Sequence, residues 1–166
     1  MGLPLLRFNL PMTPDRQSPA SPDRRIITPA RATDLPAIET LLREHRLPLA
    51  DIDRHIDTAV VAREDGRVVA CAAIEAYGAA GLLRSVAVAG AWRNTGLGIR
   101  ITEAALAVAR ARGMRTIYLL TETAAGFFPR FGFRPVSRDE VAEPVRQSVE
   151  FTTACPASAQ AMAKDL

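Results

Sequence analysis

An α+β fold, with helices packed on one mixed β-sheet, is what the sequence predicts. Three observations carry it. A β-rich hairpin is centred on Asp65-Gly66; a strand at "LLRSVAV" runs through two glycines into a helix and on to a second apolar strand; shorter strand-like runs lie at both ends of residues 24–166. Strand, helix, strand in that order reads as a right-handed parallel crossover, whereas the hairpin is antiparallel, so one sheet holds both pairings.

The elements follow from local pattern. "RRIIT" is a short strand. Thr33 or Asp34 can cap a helix over "LPAIETLLREH", where Leu35, Ile38, Leu41 and Leu42 share one face. "ADIDRHID" predicts a second, shorter helix. "TAVVARE" and "RVVACAAIEAYG" flank Asp65-Gly66, a dipeptide suited to a two-residue hairpin turn. "GLLRSVAVA" gives the next strand, and a helix from about Gly96 to Arg112 follows, with Leu97, Ile101, Ala105, Leu106 and Ala109 inward and Gly113 as its stop. "RTIYLLTET" then forms a largely apolar strand at the buried centre of the sheet. A short helix over "AAGFFPRF", a strand at "GFRPV", a polar helix near "EPVRQSVEF" and a last strand around "AQAMAK" complete the chain.

With 166 residues the chain has room for one domain. Residues 1–23 form a separate zone, with Pro4, Pro11, Pro14, Pro19 and Pro22 resisting regular structure, and are expected to be a flexible tail ahead of a domain over 24–166. No apolar run reaches the ~18–20 residues that cross a bilayer, so a membrane role is not expected. The net charge of +3 arises in residues 1–31, where Arg7, Arg16, Arg24, Arg25 and Arg31 outnumber Asp15 and Asp23; beyond them the charges cancel. That distribution lacks the basic stripe of a nucleic-acid binder. Cys71 and Cys155 stand apart, without redox or metal-ligand spacing, and His45 and His55 have no ligand partners around them. A reducing cytoplasm and no metal are the expectations.

The stretch "RSVAVAGAWRNTGLGIR" is where chemistry is expected. Glycines at a helix start lower intrinsic helix stability, so their presence calls for a backbone role. Amides of a first helical turn have no intrahelical partner and carry the positive end of the helix dipole. Gly96 and Gly98 leave them uncovered, Thr95 adds a hydroxyl and Arg93 a cation: a phosphate cradle. No lysine follows as in a P-loop, and the third glycine of a dinucleotide fold is missing.

Arg93-Asn94-Thr95-Gly96-Leu97-Gly98 resembles the [Q/R]-x-x-G-x-[G/A] acetyl-CoA motif of the GNAT superfamily of N-acetyltransferases, and Phe128-Pro129-Arg130-Phe131-Gly132-Phe133 its second landmark, one helix and one strand further on. The resemblance implies a mixed central sheet, splayed at the acetyl-CoA site and flanked by helices, with acetyl-CoA as cosubstrate. It implies that pantetheine pairs with the backbone of Val86 and Val88, and that an amide near Ala87 or Val88 donates to the thioester carbonyl. Arg93, Asn94, Thr95, Gly96, Leu97 and Gly98 would hold the diphosphate. Glu75 and Glu122 are the acids placed by chain order to deprotonate the acceptor amine, Glu75 the first choice. Glu75 has an alternative as a solvated edge carboxylate or an ion-pair partner of Arg84. In this superfamily the aromatic of the second landmark is often a tyrosine that protonates the leaving thiolate; Phe128 has no phenol. Members frequently dimerise, which leaves a homodimer open.

"AYGAAGLLRSVAVAGAWRNTGLG", "YLLTETAAGFFPRFGF" and "PVRQSVEFTTACPASAQAM" also resemble the arsenic-resistance N-acetyltransferases within that superfamily. This implies an acceptor such as arsinothricin or phosphinothricin, glutamate analogues acetylated on the α-amino group. The phosphinothricin enzymes carry a glutamate where Leu83 stands, and Arg84 beside it could grip a carboxylate, phosphinate or arsinate by paired hydrogen bonds. Other acceptors (a protein N-terminus, a polyamine, an antibiotic) and a CoA-binding module without catalysis are the alternatives.

Overall fold

The computed structural model describes residues 25–166, and the Pro-rich tail expected over 1–23 lies outside them. Seven strands form one sheet: β1 (Ile27–Pro29), β2 (Val60–Glu64), β3 (Arg67–Tyr77), β4 (Ala80–Val88), β5 (Thr116–Thr121), β6 (Arg134–Val136) and β7 (Gln160–Asp165), in the order β1-β2-β3-β4-β5-β7-β6. Only β4 and β5 run parallel, joined by the long helix α2 (Leu97–Ala111); every other pair is antiparallel. The middle strand is β4. The sequence reading put β5 there, but β7 enters between β5 and β6 from the far end of the chain, and β5 stands one place off centre.

Period-two alternation sorts the strands onto two helical layers. Val60, Ala62, Ala70, Ala72 and Ile74 face α2 and its buried Leu97, Ile101, Ala105 and Leu106, while Val61, Cys71 and Ala73 face the opposite layer. That layer holds Ile38, Leu41 and Leu42 of α1 (Leu35–Glu44). The inward residues of α2 are those its helical periodicity indicates. A Schellman pair closes α2, Gly113 N–H donating to Arg110 O and Met114 N–H to Ala109 O. The β2–β3 turn has both Asp65 (φ 47°) and Gly66 (φ 77°) left-handed, as a type I′ hairpin requires.

Three expected helices are shorter or tighter than the sequence indicates. "ADIDRHID" becomes a 3-10 segment, Ile52–Thr58, entered through left-handed Asp51. Phe128–Phe131 is a single 3-10 turn with Pro129 at its start. The helix expected near "EPVRQSVEF" divides into α3 (Glu143–Arg146), begun by Pro144, and a π-type turn over Glu150–Ala154. In each, few apolar residues lie at helical spacing, so packing against the sheet decides the backbone. No helix among the described residues is long and apolar enough to cross a membrane.

Ile101 is fully buried between α2 and the sheet. Replacing it with alanine should cost about 2–5 kcal/mol, read as a lower urea midpoint with the slope of the transition unchanged.

Candidate active site

The site begins where β4 loses a neighbour. β4 pairs with β5 only from Ala80↔Thr116 to Leu82↔Tyr118, after which the two parallel strands part. A cavity of about 550 Å³ opens between them, walled by Leu83–Val88 on one side and Leu119–Thr123 on the other. No described strand pairs with that edge of β4 beyond Leu82.

A bulge on the other edge of β4 orients its side chains. Cys71 lies opposite Ala87 and Ala73 opposite Arg84, so Ser85 and Val86 together face one residue of β3, with Ser85 left-handed at φ 57°. The extra residue reverses the alternation. Leu82 and Arg84 point to one face of the sheet; after the bulge Ala87 points there too, while Val86 and Val88 pack on the α2 side.

The predicted cradle lies at the start of α2. Asn94 (φ 61°) and Gly96 (φ 86°) turn the chain through left-handed conformations into Leu97. Among the described residues, the amides of Gly96, Gly98 and Ile99 meet no main-chain carbonyl. A Cβ on Gly98 would sit 3.6 Å from Phe127 and Val88, an ordinary contact, so the protein's own packing does not demand glycine there. Thr95 differs from expectation: its hydroxyl donates to Trp92 O at 2.7 Å and receives Leu97 N–H, so it braces the loop. Arg93 lies on the cavity wall, where its Nη2 donates to His45 Nδ1 at 2.8 Å. The other ring nitrogen of His45, Nε2, is buried and unpartnered among the described residues.

Arg84 and Glu75 depart furthest from their sequence roles. The Arg84 side chain is 0% exposed. Its Nη1 donates to Glu75 Oε1 at 2.5 Å, its Nη2 to Ala50 O at 2.7 Å and its Nε to Ser85 Oγ at 3.3 Å, while Nη2 also lies 3.1 Å from Glu150 Oε1 as an ion pair. A guanidinium so occupied is not available to grip a substrate anion. Glu75 also accepts from Tyr77 Oη at 2.6 Å and is not among the residues that line the cavity, so the structure places it as the partner of Arg84. Burial raises its carboxyl, but hydrogen bonds from Tyr77, Ser148 and Arg84 and the Arg84 charge outweigh that and hold it below the usual carboxylate range.

Glu150, which sequence reading passed over, does line the cavity. It is buried at the start of the π-type turn, with Oε2 accepting from Cys155 Sγ at 3.1 Å. Glu122 is on the wall as well, exposed at the end of β5. Phe128 presents a buried ring to the cavity and packs edge-on against Phe127 and Phe133. No described cluster of three His, Cys, Asp or Glu could hold a metal ion.

A mixed sheet parted between its two parallel strands, with an uncovered helix start at the gap, is the GNAT fold. N-acetylglutamate synthase of Neisseria gonorrhoeae, complexed with coenzyme A and N-acetyl-glutamate, matches 85% of this chain and 35% of its own, with TM-score 0.73 at 23% identity. A Mycobacterium tuberculosis protein in complex with CoA matches over 85% of this chain and 99% of its own, with TM-score 0.72 at 25% identity. Residues 55–135 match the acetyltransferase (GNAT) domain family. An amino-acid acetyltransferase of Pseudomonas fluorescens is 35% identical over 88 residues, 52% of this chain and 20% of that protein. An N-acetyltransferase of Chlorobaculum tepidum is 34% identical over 90 residues, 54% of this chain and 57% of that one. The chain thus spans a fifth of the first relative and just over half of the second.

The Glu75 pair makes stability depend on pH. Its carboxyl titrates below the ordinary 4.5 when folded, so the unfolded chain binds the proton more readily. The stabilisation is full above pH 4.5 and fades as pH falls through the folded value. Glu75→Gln should lose about 1–3 kcal/mol at pH 7, and urea titrations should show that deficit shrinking toward pH 3.

Proposed function

We propose that this protein is an acetyl-CoA-dependent N-acetyltransferase that acylates the amino group of a small amino acid or analogue by direct attack within a ternary complex. The observation that carries this reading is the gap between β4 and β5, with unpaired strand edge along one wall and uncovered helix amides at its mouth. The edge of β4 at Val86 and Val88 suits pantetheine, which can pair as an added strand. Amides of Gly96, Gly98 and Ile99 suit the diphosphate. Arg93, on the cavity wall, adds a cation to that end of the site. An amide at Ala87 or Val88 then supplies the donor to the oxygen that gains charge as nitrogen attacks; one such donor is worth about 10²–10³ in rate.

The acceptor class rests on the relatives, whose names record acetylation of amino acids. Arsinothricin- and phosphinothricin-like glutamate analogues belong to that class, and the resemblance of residues 76–98, 118–133 and 144–162 to arsenic-resistance enzymes is what puts them forward. Arg84 is left out as their anion site because its donors are spent within the protein. Phe128 offers no proton, so the thiolate must take one from elsewhere.

Acetyl-CoA consumption should be followed with glutamate, other amino acids, the two analogues, polyamines and peptides, beside calorimetry with CoA. Turnover with amino acids alone is expected. Turnover confined to polyamines or peptides would move the acceptor class, and CoA binding without turnover on any amine would leave a binding module. Gly98→Ala should keep or raise the melting temperature, because alanine is the better helix former and its methyl fits. It should nevertheless weaken CoA by about tenfold or more, a cost of about 1.4 kcal/mol.

A further inference from the structure

We propose that Glu150 is the general base of the transfer, taking a proton from the acceptor's ammonium, and that Arg84 and Cys155 position it. The inference rests on the acetyltransferase reading above and supplies the residue that reading lacks. Two acids stand on the cavity wall, Glu122 and Glu150. Glu122 is exposed at the end of β5, where water competes for its carboxylate. Glu150 is 6% exposed and held at both oxygens, Oε1 by an ion pair with Arg84 Nη2 and Oε2 by a hydrogen bond from Cys155 Sγ, each at 3.1 Å. One neighbour on each oxygen leaves lone pairs free.

The backbone holds this arrangement. In the π-type turn Cys155 N–H donates to Glu150 O at 3.0 Å, bringing the thiol back over the carboxylate that begins the turn. π-turns recur at functional sites because the widened turn redirects side chains. From the other side, the regular pairing of β3 with β4 up to Ala73↔Arg84 puts Arg84 on the face where Glu150 arrives.

Charge completes the case. One guanidinium stands between two carboxylates, Glu75 and Glu150, so the ionised cluster carries a surplus negative charge beside the cavity. His55, 3.6 Å from Glu75, does not offset it, since burial lowers its pKa and keeps the imidazole neutral. Glu122 adds a further negative charge to the wall. An acceptor arriving as an ammonium restores the balance. Burial pushes the Glu150 carboxyl above its ordinary 4.5, Glu75 adds to this, and Arg84 and Cys155 only partly reverse it. A carboxylate raised toward neutrality is the stronger base at working pH.

Bonds and protons balance as follows. Glu150 takes one proton from R–NH3⁺; the freed nitrogen lone pair attacks the thioester carbonyl; the C–N bond forms and the C–S bond breaks. The nitrogen keeps one hydrogen in the amide and gives the other to the departing sulfur, leaving CoA as the thiol. Glu150 then returns its proton to water.

In wild type, kcat/KM should fall on the acidic side of its pH profile. Glu150→Gln should lower kcat/KM by about 10²-fold or more, flatten that limb and leave the calorimetric Kd for CoA within about twofold, with Glu150→Asp recovering part of the rate. Cys155→Ala removes the donor to Oε2 and should move the acidic limb to higher pH, which tests the assignment even if Glu150→Gln fails to fold. A Glu150→Gln enzyme that keeps both the limb and a rate within about threefold of wild type would overturn the assignment, as would a Cys155→Ala profile superimposable on wild type. Both results presuppose wild-type turnover. A wild type that binds CoA but acetylates no amine would sink the acetyltransferase reading and this assignment together.

Discussion

Main-chain pairing is the constraint on which the rest depends. A buried N–H or C=O left without a partner costs about as much as a lost hydrogen bond, so sheets close wherever they can. Here the middle strand is denied closure. β4 shares only three residue pairs with β5 before the two diverge, and nothing in the described chain fills the space. Helix α2, which joins the two strands, starts close to the far end of β4, so the open strand edge and the uncovered helix start belong to one continuous surface. A ligand with an extended arm and an anionic end would satisfy both at once. The gap between β4 and β5 and the amides of α2 left uncovered by the described residues thus share one structural origin.

The electrostatics have a single origin as well. Arg84 is buried by the sheet's own alternation, and a buried guanidinium must be neutralised and hydrogen-bonded to persist. Glu75 supplies the neutralising charge; Ala50 O and Ser85 Oγ supply further acceptors. Glu150 is then an additional carboxylate sharing a cation already paired: burial raises both acids, but hydrogen bonds from Tyr77, Ser148 and Arg84 bring Glu75 below the ordinary range, whereas burial, with the Glu75 charge added, keeps Glu150 above it. Two acids of the same chemistry are driven apart by their places around one arginine.

Much of this was legible in the residues. Asp65-Gly66, the inward stripe of α2, Gly113 and the glycine-rich start of α2 are local signals, and local backbone preference fixes them. Arg84 and Glu75 were legible as possible ion-pair partners, but not the depth of their burial or the register that brings them together, since both depend on how β3 and β4 pair. Glu150 left no signal at all. It lies in irregular chain between α3 and β7, without periodicity or motif, and acquires its neighbours only through the tertiary fold.

The position of β7 bears on how the molecule is made. Because β7 pairs with both β5 and β6, neither of those strands can join the other without it. During vectorial synthesis β5 therefore leaves the ribosome with one flank open and stays so until residues 160–165 emerge. Exposed strand edges recruit other chains, so the nascent polypeptide passes through an aggregation-prone interval that the finished sheet no longer shows. The same six residues that complete the sheet also end that exposure.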